Sequence, residues 1–207
     1  MEMAGRGNDG VPAKVALLHD YESQWAYDIQ PHSAGTSYVR QTMLFYTALR
    51  SLGVDVDIRH PDHDLSGYAV IASPAIQLMG EERARHLASY ASDTKLVFGL
   101  RTAYRTPTGR VQEDGQPGPL RGLLGQRLLN FDGMRAGLNV HAGGYLVEHW
   151  AESYDPFDAE AMMTYDDGPL AGQAAVTRKG NAVSIGAWSA PLITSVLEQV
   201  LSEAGVP

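Results

Sequence analysis

Residues 68–99, YAVIASPAIQLMGEERARHLASYASDTKLVFG, contain two strand signals separated by one helix signal. The apolar runs at 68–73 and 95–99 are typical of strands that are buried on both faces of a parallel sheet. Between them, residues 81–91 are predicted to be helical, with acidic residues in the first turn as the helix dipole prefers. This alternation of strand, helix and strand favours an α/β fold.

The same alternation continues on both sides of this stretch. Residues 14–18 (KVALL) and 54–58 predict further strands, and an amphipathic helix over 38–52 lies between them, with Gly53 as its cap. Towards the C-terminus we predict short strands at 144–148, 174–177 and 182–185, and helices at 119–125 and 190–204. Together these elements predict a three-layer α/β sandwich with a mostly parallel sheet.

Composition limits the classes of function. The chain has 207 residues, with 16 basic and 24 acidic side chains and a formal net charge of −8. This acidic balance argues against binding to nucleic acids or to anionic membranes. Because there is no cysteine, disulfides, thiolate metal sites and a cysteine nucleophile are excluded. The sequence shows neither an apolar run of about 20 residues nor a leader pattern, so we expect a cytoplasmic protein.

The domain organisation is simple. Residues 1–12 are small, polar and rich in glycine, and we expect a flexible tail or an expression-vector remnant there. Residues 13–207 are expected to form a single domain. The pattern G-x-G-x-x-G at residues 5–10 comes before the first strand instead of after it, so it does not indicate a nucleotide site.

The sequence offers no strong catalytic, cofactor-binding or metal-binding set. Its pairs of acidic residues lie in polar loops or first helical turns, where solvated carboxylates are expected. Residues 60–64, HPDHD, include metal-ligand types, but a polar turn uses the same residues. The G-x-S-x-G pattern of serine hydrolases does not occur. We therefore predict no catalytic residue, no cofactor and no metal ligand.

Two segments are candidates for binding. Tyr21, Glu22, Trp25 and Tyr27 lie in a polar region at 19–37 that we predict to be a loop. Such residues could stack on a sugar or could anchor a subunit interface, and the enrichment of Trp and Tyr at interfaces favours the second role. The long loop at 101–119, which begins with Arg101, is the other candidate.

The ordered string of motifs resembles a known family. The segments are KVALLHDYESQWA, FYTALRSLGVDVD, DLSGYAVIASPA, QPGPLRGLLG, AVTRKGNAVSIGAW and LEQVLSEAGV. In this order they resemble the middle domain of family 42 β-galactosidases, which is called the trimerisation domain. The resemblance covers nearly everything from Lys14 to Val206.

The resemblance implies a flavodoxin-like fold similar to that of class I glutamine amidotransferases. Those enzymes carry a cysteine on the turn that would fall near residues 99–101, and this chain has none, so amidotransfer is excluded. Family 42 enzymes carry their catalytic glutamates on a separate barrel that needs about 250 residues, and a chain of this length has no room for it. We therefore expect an excised module or a stand-alone relative that has no activity by itself.

The function implied by the resemblance is assembly. We expect a homotrimer in which this domain brings galactosidase subunits together and helps wall the sugar pocket, with a galactoside near the interface. The candidate contact residues are Tyr21, Glu22, Trp25, Tyr27 and Arg101. The alternative is a stand-alone binding protein for sugars or other small molecules, or a hydrolase. It would use a cleft at the carboxyl ends of the strands, lined by Asp20, Glu22, Gln77 and Arg101.

Overall fold

The computed structural model describes residues 13–31 and 33–206. In chain order the elements are β1 (Val15–Leu18), α1 (Tyr21–Ile29), α2 (Tyr38–Ser51), β2 (Val56–Arg59), β3 (Val70–Ser73), α3 (Glu81–Ala88), β4 (Lys95–Phe98), α4 (Arg121–Leu124), β5 (Arg127–Gly133), β6 (Val140–Ala142), β7 (Tyr145–Val147), β8 (Trp150–Asp155), β9 (Glu160–Thr164), β10 (Ala174–Lys179), β11 (Ala182–Ile185) and α5 (Ala190–Glu203). Single turns of 3₁₀ helix lie at Gly118–Leu120 and Gly168–Leu170.

One large mixed sheet organises the chain. Its parallel half has the order β2-β1-β3-β4-β11. This is the 2-1-3-4-5 order of flavodoxin-like folds, in which the strand order reverses between β1 and β3. Strands β10, β8 and β5 then extend the sheet in antiparallel fashion, and β9 pairs with β10. The predicted α/β sandwich is confirmed, and its antiparallel half is an addition to it.

Strands β1, β3 and β11 are buried along their whole length because helices cover both faces of this half of the sheet. Alternate residues of β1 and β3 belong to two different cores, one beneath α2 and α5 and the other beneath α3 and α4. Ser37 and Ser189 cap the first turns of α2 and α5 by accepting hydrogen bonds from backbone N–H groups. The apolar face of α5, including Leu192, Val196 and Val200, is fully buried, as its spacing predicted.

One sequence-based expectation is wrong. The region at 19–37 is not all loop, because α1 occupies Tyr21–Ile29. Its signal was hidden because the helix buries only Ser23 and Tyr27 and exposes Tyr21, Trp25 and Ile29, so most of its large apolar residues do not face the core. Glu152 lies on the buried strand β8. The glycine-rich motif at residues 5–10 and the expected tail lie outside the described residues.

Candidate functional site

Helix α1 displays a row of large apolar side chains to solvent. Asp20 starts the helix by accepting a hydrogen bond from the backbone N–H of Ser23. Tyr21, Trp25 and Ile29 then follow at intervals of four residues, so they share one face, and they are 63%, 60% and 84% exposed. We call these three residues the α1 stripe. An exposed apolar row on one helix face is typical of a contact surface.

The opposite face of α1 is fixed to the sheet. Tyr27 is buried with Tyr38 and Ala75. The Ser23 hydroxyl donates to the Asp20 carboxylate over 2.5 Å and accepts from the backbone N–H of Leu78 over 3.1 Å. These contacts place α1 on the loop that follows β3, so the stripe is presented on a fixed support.

A charged network occupies the point where the strand order reverses. Asp20, fully buried after β1, accepts a hydrogen bond from Arg83 at 3.2 Å, and its other oxygen lies 3.4 Å from Nε2 of His60. Arg83 also binds both oxygens of Asp62, each at 2.7 Å. This bidentate pairing holds the pKa of Asp62 below its ordinary value. The residues of the HPDHD segment therefore take part in ion pairs and turns.

A cavity of about 430 Å³ lies beside this network. Its lining includes Glu22, Asp62, Glu82, Arg83 and His86. The position agrees with the general rule that open α/β sheets bind ligands outside the strand ends where the strand order reverses. Neither Gln77 nor Arg101 belongs to the lining, because both are buried elsewhere in the domain.

The turn after β4, residues 99–103, is tightly built. Arg101 has a φ of 63°, in the left-handed region that non-glycine residues rarely adopt, and its side chain is buried. Its guanidinium carbon lies 3.6 Å from the centre of the Tyr104 ring and 5.1 Å from that of Trp150. We call residues 99–103 the β4 turn. It is the position at which the resemblance to amidotransferases placed a cysteine, and an arginine packed between aromatic rings stands there.

The two segments predicted as contact regions are neighbours. Arg105, in the loop at 101–119, donates a hydrogen bond to the Gln30 side chain at the end of α1. The same loop exposes Val111, which is 51% accessible. The α1 stripe and this loop therefore belong to one continuous part of the surface.

Further exposed apolar residues lie on β5 and in the loop that follows it. Leu129 and Phe131 on the outermost strand β5 are 48% and 55% exposed, and Leu138 in the following loop is 61% exposed. We call these three residues the β5 patch. Phe131 is stacked on Trp150, with ring centres 5.2 Å apart, so the patch adjoins the aromatic cluster around the β4 turn.

The predicted contact residues separate into two groups. Tyr21, Glu22 and Trp25 are exposed on α1, whereas Tyr27 and Arg101 are buried and support the surface from within. Sequence reasoning missed Ile29, because α1 was taken for a loop and no helical spacing was applied to it. It also missed Glu152. This residue is buried because the antiparallel strands extend the sheet, and its polar neighbours in the sequence do not indicate a buried strand.

The described part of the chain contains neither a clustered metal site nor a membrane-spanning helix. Within residues 13–31 and 33–206, no group of three or more His, Asp or Glu side chains is placed to hold a metal ion. Across the same residues, every helix is too short or too polar to cross a bilayer.

Comparisons with known proteins agree with this architecture. Residues 13–207 match the family described as β-galactosidase trimerisation domain. The β-galactosidase Bga of Halorubrum lacusprofundi is 33% identical, over 97% of this chain and 32% of that protein. A β-galactosidase of Thermus thermophilus is also 33% identical, over 94% of this chain and 30% of its own length.

A solved structure of the Halorubrum lacusprofundi β-galactosidase superposes with a TM-score of 0.92 at 34% identity, covering 97% of this chain and 32% of that one. The β-galactosidase of Marinomonas ef1 gives a TM-score of 0.86 at 28% identity, over 94% of this chain and 29% of its own. The chain thus spans about a third of the length of these relatives. With a family match over residues 13–207, the chain belongs to the β-galactosidase trimerisation domain family.

Proposed function

We propose that this chain is the non-catalytic assembly domain of a cytoplasmic β-galactosidase and joins its subunits into a closed trimer. The observation that carries the proposal is the α1 stripe. Tyr21, Trp25 and Ile29 expose large apolar surfaces from a helix whose other face is firmly anchored. Covering them with a partner would remove this surface from water, which is the main favourable term in protein association.

A closed trimer needs two different surfaces on every subunit, because each contact joins unlike patches. We assign the α1 stripe, with the adjoining loop at 101–119, to the first surface. The β5 patch is our candidate for the second, because Leu129 and Leu138 are exposed apolar residues on another part of the domain. In this proposal the α1 stripe of one subunit packs on the β5 patch of the next.

The interior of the domain supports a non-catalytic role. At the β4 turn, Arg101 is buried and its guanidinium is packed on the aromatic rings of Tyr104 and Trp150. Arg101 stands where the related amidotransferases carry their cysteine. We assign the galactosidase chemistry to the part of the relatives that this chain does not span. In this proposal a galactoside binds near the interface of the assembled enzyme.

The test is the mass in solution of the Trp25→Asp variant. A buried carboxylate in the contact should convert trimers to single chains. Ile58→Asp is the matched control, since Ile58 is 64% exposed on β2, at the other edge of the sheet. Equal masses for the wild-type chain and for Trp25→Asp would refute the role of the stripe.

The cavity of about 430 Å³ favours a second candidate function, the binding of a small polar molecule. Its lining mixes the carboxylates Glu22, Asp62 and Glu82 with Arg83 and His86. In this alternative a saturable rise of the melting temperature with galactose is expected. The same rise in a Glu22→Ala variant would show that galactose binds elsewhere.

A further inference from the structure

The carboxylate of Glu152 is enclosed by hydrogen-bond donors. Glu152 is fully buried on β8. One of its oxygens accepts from the backbone N–H of Arg101 and from the Trp150 indole N–H, both at 3.1 Å. The other accepts from the Gln116 amide at 2.8 Å and from the Tyr154 hydroxyl at 3.3 Å. Both oxygens are therefore satisfied by groups that favour a carboxylate.

Two of these donors, the backbone N–H of Arg101 and the Trp150 indole, have supports other than Glu152. The β4 turn is fixed because the Thr102 hydroxyl donates to the Gly99 carbonyl over 2.8 Å, and the Gln41 amide donates to the Leu100 carbonyl over 2.9 Å. The Trp150 ring is held by its stacking on Phe131. The surrounding chain thus positions this part of the site, and the carboxylate of Glu152 lies against it.

Two opposing effects act on the charge of Glu152. Burial in the interior raises the pKa of Glu152, because desolvation disfavours its charged form, while the positive charge of Arg101 acts in the opposite direction. A carboxylate at this depth needs a complete set of donors, since an unpaired one would cost several kcal/mol.

We propose that the β4 turn, Gln116, Trp150 and Tyr154 form a carboxylate-binding site that Glu152 occupies from within the chain. The ligand class is a small carboxylate. Because Glu152 lies on β8, the occupied site connects the antiparallel half of the sheet to the turn that follows β4. When the Glu152 side chain is removed, the site takes up a free carboxylate such as formate or acetate.

The experiment is chemical rescue of the Glu152→Ala variant. Its unfolding is measured in sodium formate, sodium acetate and sodium chloride at equal ionic strength. We expect a saturable stabilisation by formate or acetate, with the ratio of unfolded to folded chains falling about tenfold when the anion is at ten times its Kd. In ¹⁵N spectra, the Trp150 indole signal should move towards its wild-type position as formate is added.

Two variants serve as controls. Glu152→Gln keeps the shape of the side chain but turns an NH₂ group towards donors, so we expect a less stable protein without a specific response to formate. Glu160→Ala makes the same chemical change as Glu152→Ala at an exposed position on β9 and should respond alike to all three salts.

Three results would overturn the proposal. The first is equal stability of Glu152→Ala in formate, acetate and chloride. The second is the same formate effect in Glu160→Ala. The third is a Glu152→Ala chain that refolds in none of the salts, because an anion that fits the donors should restore the native state by binding to it.

Discussion

At the scale of single residues, Gly99 shows how tightly the β4 turn is built. A Cβ added there would clash with the carbonyl group of Pro74 and would touch the ring of Phe45. The backbones after β3 and β4 approach each other closely, and the Gly99 N–H donates to the Ser73 carbonyl over 2.9 Å. Only glycine fits this approach without displacement of one of the strands.

We therefore predict that Gly99→Ala lowers the free energy of unfolding by roughly 1–3 kcal/mol or more, the usual cost of overpacking. Gly122→Ala is the matched control, because nothing lies within 4 Å of a Cβ at that helical position. It should be neutral or stabilising by about 0.4–1 kcal/mol. Denaturant unfolding measures both, and equal effects of the two substitutions would contradict the account of the turn.

Glu203 at the end of α5 gives a second prediction at this scale, on pH. Partial burial raises the pKa of its carboxyl group, but hydrogen bonds from Arg178 at 2.8 Å and Lys95 at 3.1 Å outweigh this and lower the pKa below its ordinary 4.5. A carboxyl group whose pKa is lower in the folded chain than in the unfolded chain stabilises the fold at pH values above its unfolded pKa. That stabilisation is lost as the pH falls through the folded pKa.

The difference in unfolding free energy between the wild-type chain and Glu203→Gln should thus be present at pH 7 and shrink below about pH 4. Glu198→Gln, an exposed change on the same helix, should show little difference at either pH. A Glu203→Gln difference that is the same at pH 3 and pH 7 would be incompatible with these ion pairs.

At the scale of elements, the parallel strands and long helices were predictable, while α1 was not. Strands β1, β3 and β4 are continuous apolar runs, and α2 and α5 have buried apolar faces, so local pattern and burial agree. In α1 the pattern is inverted, with Ser23 inside and Trp25 outside. A helix whose large apolar residues face solvent cannot be recognised by a rule that assumes they face the core.

Helix α1 should depend on its cap. Asp20→Ala removes the acceptor for the Ser23 N–H, worth about 1 kcal/mol, and also a buried partner of Arg83. We expect faster hydrogen exchange of the α1 amides, with those of α2 little changed. Ser37→Ala, which removes the cap of α2, should give the reverse pattern. If the α1 amides of Asp20→Ala exchanged at the wild-type rate, the tertiary contacts of α1 would be enough to hold the helix without its cap.

The same limit applies to the candidate site. Tyr21, Glu22 and Trp25 could be selected from residue type alone, because exposed aromatic residues are typical of interfaces. The burial of Arg101 and the enclosure of Glu152 could not, since both depend on the antiparallel half meeting the β4 turn. Contacts between residues 51 positions apart leave no local pattern in the sequence.

At the scale of the whole molecule, the domain presents two separate apolar surfaces, the α1 stripe and the β5 patch. If unlike surfaces meet, two variants with different damaged surfaces should complement each other. Trp25→Asp retains an intact β5 patch, and Leu129→Asp retains an intact α1 stripe. We predict that each is a single chain alone and that an equimolar mixture forms a complex of two chains with one intact contact.

Analytical ultracentrifugation of the mixture checks this prediction, with a mixture of Trp25→Asp and Ile58→Asp as the control. The control mixture should contain trimers of Ile58→Asp in which the two intact surfaces still meet, so the two mixtures differ in the largest species present. Single chains only in the mixture of Trp25→Asp and Leu129→Asp would show that these two surfaces do not form the contact.

The most direct test of assembly is the absolute mass of the wild-type chain, measured by light scattering over a dilution series. We predict a mass of three chains that persists on dilution, because both proposed contact surfaces, the α1 stripe and the β5 patch, lie on this domain. A mass of one chain at every concentration would contradict the claim that this domain alone encodes the trimer.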